Sequence, residues 1–172
     1  MSNTKPTIHI QPYYSPCGEI VLASVDDELC LCDWSGMPCA ERNKRRFARY
    51  IDADFKAETN AILEEAKRQL DEYFAGTRRV FDIPLRTVGT DFQQPVWNAL
   101  LSIPYGEPRS DTEIATSIGK PQSIRAVAGA IGANGISILI PCHRVVGSNH
   151  SLTGFAGGLQ AKQALLNLEK ST

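Results

Sequence analysis

Ile136-Ser137-Ile138-Leu139-Ile140-Pro141-Cys142-His143-Arg144-Val145-Val146 is the stretch on which the fold and chemistry of this chain turn. Residues 136–140 are apolar and rich in β-branched side chains, which predicts a short buried strand ended by Pro141. Cys142 then follows, with His143 beside it. A thiol is a strong nucleophile only as thiolate, and a neighbouring imidazole or cation lowers its pKa toward that form. Adjacent residues on a strand face opposite ways, so His143 would reach the sulfur through a bend or a water. Taken alone, the pair favours a core cysteine beside a hydrogen-bonded histidine over a nucleophile.

Upstream of this stretch the chain reads as helical. Thr90 or Asp91 is placed to cap a helix through Leu101 that buries Phe92, Val96, Trp97 and Leu100. Pro95 sits near its first turn, where little hydrogen bonding is lost. Two short helices follow, about 111–118 and 122–133, separated by Gly119-Lys120-Pro121 at helix–turn–helix spacing. The second carries mostly small residues, among them Ala126, Ala128, Gly129 and Ala130, so a surface can approach its backbone closely. Downstream, Thr153-Gly154-Phe155-Ala156-Gly157-Gly158 is a glycine-rich loop ahead of a last helix, 159 to about 169. The first half differs. Residues 20–25 and 29–34 read as a hairpin turning at Asp26-Asp27-Glu28, after an earlier turn at Ser15-Pro16-Cys17-Gly18. Residues 59–75 read as an amphipathic helix stopped by Gly76. The expected organisation is two domains, 1–86 and 87–172. A small N-terminal α/β domain with an antiparallel sheet would pack on a mainly helical domain, α+β overall.

Composition narrows the function. The chain has 172 residues, 42% of them hydrophobic, enough for a real core. Eighteen basic residues oppose nineteen acidic, a net charge of −1. That balance excludes a partner held by bulk charge, such as a polybasic membrane anchor or a nucleic-acid coat. From Thr90 onward six basic residues face five acidic, so this half is near +1 and the first near −2. No apolar run approaches a membrane span, and the N-terminus lacks the pattern of a secretory signal. Five cysteines without framework spacing fit a reducing compartment. The expectation is a soluble, cytoplasmic, monomeric protein.

The string Pro141-Cys142-His143-Arg144-Val145-Val146, with its surroundings, resembles the O6-alkylguanine-DNA alkyltransferases, the methylated-DNA–protein-cysteine methyltransferases. The resemblance runs from about Phe92 to Glu169. It includes Phe92-Gln93, Val96-Trp97, Ile103-Pro104, Gly106-Glu107, Arg125-Ala126-Val127, Asn134, Gly154 to Gly158, Lys162, Leu165-Leu166 and Glu169. Only Pro-Cys-His-Arg is diagnostic by itself, but the ordered set is highly specific. The first half is family-like more loosely, through Ser15-Pro16 with Gly18 and Tyr73-Phe74-Ala75-Gly76.

This resemblance implies a DNA repair protein that moves an alkyl group from guanine O6 onto its own cysteine, once, with no cofactor. Cys142 would be the acceptor. His143 would take its proton through a bound water, and Glu169 would orient His143. Asn134 would bridge the second helix of the pair to the active-site strand. The helix–turn–helix, of winged-helix type, would enter the minor groove of duplex DNA. There Arg125 would fill the space of the flipped nucleotide, with Ala126, Ala128 and Gly129 against the groove. The base would lie against the Cys142 and Val145 carbonyls and the Ala156 amide, walled by Phe155 and Gly157. O4-alkylthymine is a second candidate substrate. Arg144 would hold the Cys142 loop by pairing with acidic or carbonyl groups.

Asp111 departs from the family, which usually has a tyrosine there, thought to donate a proton or hydrogen bond to N3 of the leaving guanine. An ionised aspartate only accepts. Its simplest explanation is a helix N-cap, with Ser110 or Tyr105 as the alternative donor. Gly135, where proline is common, is a smaller departure. Cys17, Cys30, Cys32 and Cys39 raise a zinc site, but Cys30-x-Cys32 lacks chelating spacing and the expectation is no metal. His9 and His150 read as surface residues, and the basic run from Arg42 to Arg49 as a solvated helix face or loop. Two rivals stand beside the enzyme. A non-catalytic lesion-binding protein is disfavoured by Cys142 and kept open by Asp111. A regulatory helix–turn–helix protein leaves Cys-His-Arg unexplained.

Overall fold

The computed structural model describes residues 5–36, 38–147 and 154–172, with backbone only for 38–40. The Cys39 side chain, His150 and Thr153 of the sequence reading lie outside the described residues. The chain divides into two compact units, Met1–Val88 and Gly89–Thr172.

The first unit is a four-stranded sheet with two helices. Its strands are β1 (Thr7–Ser15), β2 (Gly18–Val25), β3 (Glu28–Trp34) and the short β4 (Asp54–Lys56), in the order β3-β2-β1-β4. The first three are antiparallel. Sequence reading missed β1 as a defined strand and also missed β4, which runs parallel to β1. Helix α1 (Pro38–Tyr50) lies between β3 and β4 and supplies the crossover a parallel pairing needs. Asp26 and Asp27, at φ of 47° and 62°, make the tight two-residue turn whose twist matches the flanking strands. Helix α2 (Ala61–Phe74) is capped by Asn60, whose Oδ1 accepts from Leu63 N at 3.0 Å. It ends in a Schellman motif: Gly76, at φ 79°, donates to Tyr73 O, and Thr77 N donates to Glu72 O. The core of this unit gathers Ile8, Ala23, Val25, Cys30, Leu31 and Phe47.

The second unit is mainly helical. Helix α3 (Gln93–Leu101) opens on a capping box in which Thr90 Oγ1 accepts from Gln93 N and Gln93 Oε1 accepts from Thr90 N. Trp97, on its buried face, donates from Nε1 to Ala130 O at 2.8 Å. That bond fixes α3 on α5 (Ile124–Gly132), the second helix of the helix–turn–helix pair that α4 (Asp111–Ser117) begins. A two-residue strand, β5 (Arg109–Ser110), precedes α4 and pairs in parallel with β6 (Val145–Val146), Ser110 opposite Val146. The last helix, α6, spans Leu159–Ser171.

Two expectations need correction. Residues 136–140 form no strand. Ile140 N donates to Ile136 O, Leu139 N donates to Ser137 O, and Ile138 sits at φ 74°, an uncommon conformation for a β-branched residue. The backbone folds back on itself there because Asn134 binds both ends of the turn. Beyond it, Cys142–Arg144 is a single 3-10 turn. The second correction concerns Asp111, which does not cap α4. Ser110 does: its backbone is extended and its Oγ accepts from Glu113 N at 3.0 Å. Asp111 is the first helical residue, and its Oδ1 accepts from Thr112 N at 2.8 Å.

Candidate active site

The 3-10 turn Cys142–Arg144 puts three successive side chains into the interior of the second unit, each 6% exposed or less. Glu169, from α6, is 4% exposed and meets two of them. Its Oε2 lies 2.6 Å from His143 Nε2. Arg144 grips the same carboxylate with two nitrogens, Nε to Oε1 at 2.8 Å and a terminal nitrogen to Oε2 at 3.1 Å. Gly106 N adds a fourth donor, to Oε1 at 3.1 Å. A carboxylate satisfied this fully is stable in the interior only because its charge is opposed by the guanidinium. Arg144 is held in turn by Ile103 O at 2.7 Å and by the Tyr105 ring beneath it.

His143 is fully buried, and burial lowers its basicity more than the Glu169 hydrogen bond and charge restore it. The ring is therefore neutral near pH 7. With Nε2 committed to a carboxylate, which only accepts, the proton sits on Nε2 and Nδ1 carries the lone pair. Nδ1 is buried and has no hydrogen-bond partner. The array thus presents an unoccupied base on the residue next to a buried thiol.

Asn134, 2% exposed, follows α5 and holds the folded-back segment. Its Nδ2 donates to Ile140 O at 2.9 Å and its Oδ1 accepts from Ile136 N at 3.0 Å. Both bonds come from one side chain to two ends of the turn, so Asn134 sets the direction in which the chain enters Pro141-Cys142.

The remaining expected residues fall in two places. Arg125, Ala126, Ala128 and Gly129 are exposed along α5, and Arg125 makes no ion pair or hydrogen bond among the described residues. A Cβ added at Gly129 would meet nothing, so this face is open. Val145 is buried in β6, while Phe155, Ala156 and Gly157 are half-buried in the turn before α6. Gly158 closes that turn at φ 88°, donating to Phe155 O at 2.9 Å. A cavity of about 400 Å³ lies behind Glu169, lined by Gly106, Pro108, Val146, Leu166 and Lys170 among others. Neither Cys142 nor the 155–157 turn lines it, so it is not the expected base pocket.

Sequence reading assigned no role to Lys162, 1% exposed on α6. The signal was present: Lys162, Leu165 and Glu169 share the buried stripe of that helix. Among the described residues no cluster of three or more His, Cys, Asp or Glu could hold a metal ion. Cys30 and Cys32 are both buried on β3. No helix is long and apolar enough to cross a membrane.

Comparison with known proteins agrees along both units. Residues 8–87 match the ribonuclease-like domain, and residues 91–171 the DNA-binding domain, of 6-O-methylguanine DNA methyltransferase. A methylated-DNA–protein-cysteine methyltransferase of Methanosarcina barkeri is 47% identical over 157 residues, 91% of this chain and 94% of that one. The constitutive enzyme of that name from Bacillus subtilis is 42% identical, covering 91% and 92%. The crystal structure of Mycobacterium tuberculosis OGT in complex with DNA aligns with a TM-score of 0.81 at 42% identity, over 95% of this chain and 93% of that one. This chain belongs to the 6-O-methylguanine DNA methyltransferase family.

Proposed function

We propose that the protein repairs DNA by moving a methyl or larger alkyl group from O6 of guanine in duplex DNA onto its own Cys142, once per molecule. The observation that carries this reading is the buried array in which Glu169 fixes Nε2 of His143 and leaves Nδ1 unpartnered beside Cys142. Nδ1 takes the thiol proton, directly or through one water, and Glu169 stabilises the imidazolium that forms. Arg144 keeps Glu169 ionised throughout. The thiolate attacks the alkyl carbon, a C–S bond forms, the C–O bond breaks, and its electron pair stays on the base. The product is a thioether with no good leaving group, so the thiol is not regenerated. No cofactor is needed, because donor and acceptor are the base and the sulfur.

An alkylated base inside a stacked duplex is out of reach of a buried thiol, and extruding it costs about a few kcal/mol. In this reading the open face of α5 lies in the minor groove and Arg125 fills the vacated place. The small side chains of Ala126, Ala128 and Gly129 admit the groove walls, and Asn134 couples this helix to the cysteine turn. The extruded guanine packs against Phe155 and Gly157, with the Cys142 and Val145 carbonyls and the Ala156 amide reading its edge. The protein works as a cytoplasmic monomer.

The test is incubation with duplex DNA bearing one O6-methylguanine, followed by intact mass spectrometry. Gain of one methyl, mapped to Cys142, is the expected result. Tight binding with no gain in mass supports the rival lesion-binding reading and refutes this one.

A further inference from the structure

Asp111 leaves the leaving group without its expected proton donor, and helix capping does not account for the residue. The two hydroxyls that sequence reading offered instead are turned elsewhere. Ser110 Oγ is directed at the Glu113 amide as the cap of α4. The Tyr105 hydroxyl meets Thr172 Oγ1 while its ring lies under Arg144.

We propose that Lys162 supplies the proton to the departing guanine, with Asp111 holding its ammonium in place. The proposal rests on the alkyl-transfer reading above. Lys162 lies one turn into α6, directly after the 155–158 turn, and its side chain is almost wholly buried. Pairing of Ser110 with Val146 brings Asp111 to the same end of the unit as the Cys142 turn. A lone buried ammonium is costly, and the interior retains one only for a compensating partner. Cys142 and Asp111 are the two groups whose charge favours the protonated lysine. Burial acts against them and lowers its basicity below that of an ordinary lysine, which makes it the better acid. His143 also lies within electrostatic reach of Lys162, as does Arg144 of His143.

The step balances. Cys142 sulfur bonds to the alkyl carbon as the carbon–O6 bond breaks, and Lys162 transfers one N–H proton to the base, which leaves neutral. Lys162 is left as an amine and His143 holds the thiol proton, which returns to Lys162 through solvent. An aspartate at 111, useless as a donor, thus becomes the counter-charge for a donor one helix away.

Two duplexes test this, one with O6-methylguanine and one with its 3-deaza analogue, in which N3 is a carbon and accepts no proton. Single-turnover rates of Cys142 alkylation are read by quenched intact mass. On the natural lesion K162M should be slower by about a hundredfold. The 3-deaza change should slow the unaltered protein comparably and slow K162M no further. Multiplying losses, or K162M at full rate, would overturn the proposal. Should K162M fail to fold, D111N decides. Losing the carboxylate should move the alkaline fall in rate to lower pH, and an unmoved profile counts against Lys162. Absence of any methyl on the unaltered protein is distinguishable from all of these and defeats the alkyl-transfer reading itself.

Discussion

Each unit buries a carboxylate, and the two do opposite things with it. In the first unit Asp33, 1% exposed, accepts from Asn43 Nδ2 and from Trp34 N, with Arg46 bonded to Asn43 behind them. In the second, Glu169 accepts from His143, Arg144 and Gly106. Asp33 is held by an amide, which cannot change its protonation, so its cluster joins α1 to β3 and ends there. Glu169 is held in part by an imidazole, whose other nitrogen faces away toward a thiol. The thiols differ in the same sense. Burial pushes Cys30 up to about 12, leaving it inert near neutrality, whereas Cys142 sits beside a neutral base. A buried acid is common structural equipment; what its partner exposes on the far side makes it a site.

The largest test of this contrast is at the cysteines. Cys142→Ala should abolish methyl transfer in the mass assay, while Cys30→Ala should leave the transfer rate unchanged. Next come the carboxylates. Glu169→Gln removes the orienting charge from His143 and leaves Arg144 buried without its partner. Transfer should slow by roughly 10²-fold or more, and unfolding should become easier by about 3–5 kcal/mol. Asp33→Asn should cost stability alone, about 1–3 kcal/mol by chemical denaturation, with the transfer rate intact. If Asp33→Asn slowed transfer as Glu169→Gln does, the distinction between the two clusters would fail.

Acid should separate the units by sign. His143 is less basic folded than unfolded, so the unfolded chain takes up a proton below about 6.5 that the folded chain refuses. Its contribution to stability is present above 6.5 and is lost as pH falls further. Burial raises Asp33 above its ordinary 3.8, chiefly through desolvation, so its contribution is full below 3.8 and is lost as pH rises through the higher folded value. Hydrogen exchange followed from pH 7 to pH 5 should therefore show the Cys142–Arg144 turn and α6 loosening before β3 and α1. The smallest effect expected is on salt. With six basic and five acidic residues from Thr90 onward, DNA binding should weaken only shallowly as salt rises. Arg125→Ala should weaken binding to lesion-bearing duplex while changing that slope by about one phosphate contact at most.

Much of this was legible in the sequence because local rules and tertiary demands agreed. The β2–β3 hairpin, the α2 helix with its Gly76 stop, the Thr90 capping box and the helix–turn–helix spacing each follow from near neighbours in the chain. The Pro-Cys-His-Arg string pointed to the cysteine and, through resemblance, to Glu169. Failures occurred where a distant side chain overrides local preference. Residues 136–140 have the composition of a strand, but Asn134 ties both ends of the segment and forces Ile138 to positive φ. Ser110 and Asp111 are both good caps, and only the backbone direction set by pairing with β6 selects Ser110. Lys162 falls on the buried stripe of α6, a position that periodicity marks but whose meaning depends on Asp111 and Cys142, far away in the chain.

The central claim is that one thiol among five is the acceptor and is consumed. Titrating the protein with excess duplex bearing O6-methylguanine, and counting methyl groups per chain by peptide mass, tests it most directly. One methyl per molecule, on Cys142 and none on Cys30 or Cys32, with no further demethylation once it is in place, is the predicted result. Continued loss of the lesion after Cys142 is saturated, or an unmodified Cys142 in a chain that has repaired its DNA, would contradict it.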